Sequence, residues 1–169
     1  MRVTSSQAAK LLRQLNDELR ALQLKEANSS SFVAAIQEDV ESVRPEYNFK
    51  EMRDALAEVE CKIRKVKHAI NVFNTTTIIP DFNITIDEML VYLPQLNAEC
   101  ATLSKMRDAM PKVRVSSGYS GGSNIIDYKY ANYDIEEVSS YYTKISETLA
   151  KAQTALDLVN STVEFEINI

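Results

Sequence analysis

The sequence has no tryptophan, one histidine, two cysteines, three glycines and four prolines among its 169 residues. Each scarcity removes a class of protein. The two cysteines, Cys61 and Cys100, lie far apart without a paired motif, which argues against a disulfide framework or a zinc ribbon. A di-iron carboxylate bundle needs Glu-x-x-His on each of two helices, yet the lone His68 has Lys65 three residues before it. Cys61 and His68 are two helical turns apart, roughly 10 Å, too far to share a metal without further ligands. Both are expected to be exposed non-ligands, and Cys100 a small buried hydrophobe. No apolar run approaches the ~18 residues of a membrane span, and Met1 to Leu12 holds no signal-length segment, so a soluble cytoplasmic protein with no membrane partner is expected. Positive charge is the minority: 19 Lys and Arg stand against 24 Asp and Glu, a net charge of -5. Phosphate binding needs a dominant positive surface, so nucleic acid is not an expected partner.

What the chain does have is apolar periodicity. Four segments carry apolar residues at alternating spacings of three and four, the pattern of a helix with one buried stripe. They read as helices over about 5–27, 49–73, 86–110 and 135–159. The second seam runs Met52, Leu56, Val59, Ile63, Val66, Ile70, Phe73, and the fourth Ile135, Val138, Tyr142, Ile145, Leu149, Ala152, Leu156, Val159. Each helix opens on a capping pair: Thr4 with Gln7, Asn48 with Glu51, Thr85 with Glu88, Asp134 with Glu137. The Asn74 to Thr77 run and Pro111 read as stops, and Asn160 as a left-handed C-terminal position. Pro94 falls inside the third helix, where a kink is expected. Matched lengths of roughly 35 Å allow the four to lie side by side as an antiparallel four-helix bundle, one mostly α domain spanning 1–169.

Strand signals sit between and after the helices. Val113 and Val115 alternate with charged residues, as do Ile126, Tyr128 and Tyr130, on either side of a Gly/Ser-rich stretch at 116–124. This predicts a β-hairpin over about 112–131, with Phe32 to Ile36 as a further candidate strand. The tail at 163–169 alternates at period two, with Val163, Phe165, Ile167 and Ile169 on one face. An isolated strand is unstable, so the tail is expected to pair near Ile78 and Ile79 or with another subunit.

The run Ile70-Asn71-Val72-Phe73-Asn74-Thr75-Thr76-Thr77, then Thr85-Ile86-Asp87-Glu88-Met89-Leu90, then Val159-Asn160-Ser161-Thr162-Val163-Glu164-Phe165, resembles a family of small bacterial helical proteins sometimes labelled septicolysin-like. The resemblance covers nearly the whole chain in helix order and spacing. It departs at Leu93-Pro94, where Arg-Asp is the family expectation, and at Ser161, where an aromatic is. It implies a helical, homo-oligomeric protein without an assigned activity, and carries over no catalytic residue.

No nucleophile lies in a recognisable local motif, so no catalytic residue, cofactor or metal is assigned. The function expected is therefore a structural or interaction module that self-associates. Its candidate contact residues are Tyr128, Tyr130 and Tyr133, in the tyrosine-rich segment, and Phe165, Ile167 and Ile169 in the tail. A protein partner other than a second copy is a further possibility. Two alternatives remain open. The cluster Lys62, Arg64, Lys65 and Lys67 would serve a nucleic-acid accessory protein, although a solvated face complementing the helix dipole explains it as well. The 116–124 stretch would serve an enzyme or ligand-binding protein, but it lacks the Gly-Lys-Ser/Thr ending of a phosphate loop.

Overall fold

A computed structural model describes residues 1–115 and 127–169. The described chain is mostly helical, with three two-stranded antiparallel ladders. In order its elements are β1 (Arg2–Thr4), α1 (Ser5–Ser29), α2 (Val40–Val43), α3 (Phe49–Thr76), β2 (Ile78–Ile79), β3 (Ile84–Thr85), α4 (Ile86–Arg107), β4 (Lys112–Val115), β5 (Asp127–Tyr130), α5 (Ile135–Thr162) and β6 (Glu164–Glu166). It divides into two compact units, Met1–Thr77 with Leu158–Ile169, and Ile78–Asp157.

The four long helices start where the capping residues place them. Thr4 accepts from the Gln7 N–H while the Gln7 side chain accepts from the Thr4 N–H, and Thr85 and Glu88 repeat the arrangement at α4. Asn48 Oδ1 accepts from the N–H groups of Lys50 and Glu51, and Asp134 Oδ1 from that of Glu136 at 2.8 Å. Helix ends differ from expectation. Asn74 to Thr76 continue α3, and Ser161 and Thr162 continue α5, where threonine and serine hydroxyls donate to carbonyls a turn back: Thr76 to Val72 and Thr162 to Leu158, each at 2.7 Å. Asn160 accordingly lies inside α5, not at a left-handed end. Pro94 lies inside α4, which ends at Arg107, short of Met110.

In the first unit α1 packs on α3. The start of α1 lies by the end of α3, where Phe73 stacks on Phe165, and its end lies by the start of α3, where Arg53 pairs with Glu26 and the Tyr47 hydroxyl donates to Glu26. The two helices therefore run antiparallel. Their core holds Val3, Ala8, Leu15, Val59, Ile63, Val66 and Ile167, all buried. Ala8, with its single methyl group, occupies a fully buried position on α1. The second seam is confirmed nearly residue for residue: Met52, Leu56, Val59, Ile63, Val66 and Phe73 are buried.

The tail corrects the expectation for its partner. β6 pairs with β1, not with Ile78–Ile79: Arg2 stands opposite Glu166, Val3 opposite Phe165, and Thr4 opposite Glu164. Ile78–Ile79 instead pairs with Ile84–Thr85 in the second unit, through a turn in which Asp81 and Asn83 adopt positive φ, a region their short polar side chains tolerate. Phe32 to Ile36 is not a strand. Phe32, Val33 and Ile36 are exposed, and the segment pairs with no ladder among the described residues.

Candidate functional site

The hairpin forms where alternation predicts it. Lys112 stands opposite Tyr130, Val113 opposite Lys129, Arg114 opposite Tyr128, and Val115 opposite Asp127. Side chains alternate across a ladder, so one face carries Lys112, Arg114, Tyr128 and Tyr130, and the other Val113, Val115, Asp127 and Lys129. The first face is held by its own contacts: Lys112 Nζ lies 4.0 Å from the Tyr128 ring centre and 5.3 Å from that of Tyr130, and the rings are 6.5 Å apart. All eight residues are exposed. Lys112, Arg114 and Lys129 outnumber Asp127, which gives these strands positive charge on an acidic chain.

At the base of the hairpin is a cavity of about 470 Å³ lined mainly by Met106, Ala109, Met110, Val113, Tyr130 and Tyr133. Met110, expected within the helix over about 86–110, lies beyond its end and is 70% exposed. Tyr133 is half-buried and its hydroxyl donates to the Met106 carbonyl at 3.1 Å, tying the strand exit to the end of α4. Nearby, Arg107 lies over the Tyr142 ring at 4.4 Å, and its hydrogen bond to Asp108 raises its already high pKa.

The tail residues fall elsewhere. Ile167 is fully buried, and Phe165 is half-buried with its ring 4.4 Å from that of Phe73, so both are packing residues of the first unit. Ile169 is exposed. Beside β6 and the second half of α3 is a larger cleft, about 660 Å³, whose floor is Phe73 and Phe165 and whose rim includes Lys65, His68, Val72, Val163, Glu164 and Glu166. Sequence reasoning did not find this cleft, because it depends on β1 fixing the tail beside α3.

In the basic cluster, Arg64, Lys65 and Lys67 are exposed, while Lys62 is engaged by Glu58 at 2.6 Å; that hydrogen bond raises the Lys62 pKa and lowers that of Glu58. His68 is exposed as expected. Cys61 and Cys100 are each half-buried free thiols, against expectations of exposure for the first and burial for the second. Among the described residues no group of three or more His, Cys, Asp or Glu could hold a metal ion, and no helix is long and apolar enough to cross a membrane. The 116–124 stretch, with Tyr119 and Ile126, lies outside the described residues.

No protein-family model and no curated protein matches this chain. A solved structure does: the crystal structure of a functionally unknown conserved protein from Corynebacterium diphtheriae is similar, with a TM-score of 0.56 at 15% identity, over 98% of this chain and 100% of that one. The likeness extends to the fold alone.

Proposed function

We propose that this protein is a cytoplasmic structural or interaction module that associates with further copies of itself through the β4–β5 hairpin. One observation carries the reading: a two-stranded ladder whose eight residues are all exposed, bearing Val113, Val115, Tyr128 and Tyr130 and two edges that pair with nothing among the described residues. A hairpin of this size is marginal alone, and an exposed edge with apolar side chains is a template for pairing. Tyr128 and Tyr130 brace this contact, because Lys112 of the adjoining strand lies over their rings at 4.0 and 5.3 Å. β1 pairs with one edge of the tail and Ile167 is buried, so the tail finds a strand partner within its own chain. The septicolysin-like resemblance, which implies a homo-oligomer, supports the same reading. The arrangement of the four long helices as one antiparallel bundle belongs to this proposal too, and distances between spin labels on the helices would test it.

The nucleic-acid reading ranks second, with Lys62 already occupied by Glu58. The test of the leading one is Tyr128→Ser/Tyr130→Ser. This variant should keep the parent's circular dichroism and lose association in size-exclusion chromatography with light scattering. An unchanged association constant would remove the hairpin face from the contact.

A further inference from the structure

Among the free strand edges of the three ladders, those of β6 and β4 present the backbone groups of charged residues. At the first, the Met1 ammonium donates to the Ile167 carbonyl at 2.7 Å and the Ile167 N–H donates to the Met1 carbonyl at 2.9 Å. Hydrogen bonding alternates along an antiparallel strand, so Ile167 and Phe165 direct their backbone groups at β1, while Glu164 and Glu166 direct theirs at the opposite edge. That edge borders the 660 Å³ cleft. At the second, the Ala131 N–H donates to the Pro111 carbonyl at 3.0 Å. By the same alternation Val113 and Val115 bond toward β5, and Lys112 and Arg114 present their N–H and C=O groups at the free edge of β4.

We propose that these edges belong together: β4 of one copy adds antiparallel to β6 of a second copy, as a third strand of its β1–β6 ladder. This rests on the self-association reading and names the surface that receives the hairpin. The free backbone groups set the register. Lys112 comes opposite Glu166 and Arg114 opposite Glu164, and the same register brings Val113 opposite Phe165 and Val115 opposite Val163. All four pairs match, two by charge and two by apolar character. A slip of one residue would set a cation against Phe165 and take the backbone donors away from their acceptors. A slip of two leaves a single ion pair.

The walls of the cleft choose which face points inward. Phe165 lies over Phe73, with Val72 and Val163 exposed beside it, so Val113 and Val115 enter an apolar trough. Lys65 on the α3 wall disfavours a cation directed the same way. The cations of β4 therefore lie on the outer face, over Glu164 and Glu166. There Arg2 already stands opposite Glu166 and reaches Glu164 at 3.8 Å, so each added cation meets a carboxylate flanked by β1. β5 fits the same edge poorly, because its edge-facing residues are Tyr128 and Tyr130 and its alternate positions are Asp127 and Lys129.

Charge reversal on each edge, followed by mixing, tests the pairing in the full chain. Glu164→Lys/Glu166→Lys and Lys112→Glu/Arg114→Glu change only exposed side chains, and circular dichroism would verify that each folds. Sedimentation velocity should show each variant associating at least about tenfold more weakly than the parent, since like charges then face across the contact. An equimolar mixture should recover the parent's association, because each variant supplies the edge that the other's reversed edge accepts. Reversals without effect, or a mixture that stays dissociated, would overturn this pairing and leave self-association standing. A parent that is monomeric throughout would overturn both.

Discussion

Replacing Phe73 by alanine removes a ring that is 5% exposed and stacked on Phe165 at 4.4 Å and 20°. The loss has two parts. Burial and the cavity left behind account for most of an expected cost of about 3 to 5 kcal/mol. The ring pair adds geometry-specific attraction of about 0.5 to 1.5 kcal/mol within that sum. The position amplifies the effect, because Phe165 faces Val3 across the β1–β6 ladder and Phe73 supports it from below. In a chain of this length each kcal/mol lowers the melting temperature by roughly 2 to 4 °C, so Phe73→Ala should fall by roughly 10 °C. Phe73→Leu, which keeps most of the apolar volume, should cost only about 1 kcal/mol. Urea unfolding followed by circular dichroism on Phe73→Ala, Phe165→Ala and the double variant would give the coupling directly. A Phe73→Ala protein within about 1 kcal/mol of the parent would refute the assignment of the β6–α3 contact as a cornerstone of the first unit.

Thr85→Ala should destabilise by about 1 kcal/mol through loss of the α4 cap, read as a shift in urea midpoint. The Glu88 carboxylate is held below its ordinary pKa by the Thr85 N–H and hydroxyl, so its charge stabilises the fold above the ordinary carboxylate range and ceases to as pH falls through the depressed value. The stability gap between parent and Glu88→Gln should therefore shrink between pH 7 and strongly acidic pH; a gap constant with pH would refute the charge effect. Leu56→Ala, at 6% exposure on α3, should cost about 2 to 5 kcal/mol, checked by the same unfolding curves. Duplex DNA and single-stranded RNA should bind no tighter than micromolar at physiological salt in fluorescence anisotropy, whereas nanomolar affinity abolished by reversing Lys62, Arg64, Lys65 and Lys67 would promote the nucleic-acid reading.

Helix existence and helix starts were legible because two independent signals coincide there. The seam from Met52 to Phe73 has the helical period, and Asn48 and Glu51 supply the cap chemistry at its head. Helix ends were less so: Thr75, Thr76, Ser161 and Thr162 are turn formers by composition, yet their hydroxyls also satisfy carbonyls one turn back and let the helix run on. β1 was illegible for a different reason. Three residues give no period, and Thr4 doubles as the cap of α1, which hid the strand that receives the tail. Alternation across Val113, Val115, Tyr128 and Tyr130 revealed the hairpin, but period two is silent on whether either face is covered. The place of Tyr128 and Tyr130 on the hairpin was therefore legible from sequence, whereas the proposed receiving edge at Glu164 and Glu166 was not, because it exists only once β1 has fixed β6.

Self-association is the central claim, and the molar mass of the intact chain across the micromolar range tests it most directly. Sedimentation equilibrium is expected to give a mass that rises with concentration to a multiple of the monomer's. A mass equal to one chain at every concentration would contradict the account and leave a monomeric binding module in its place.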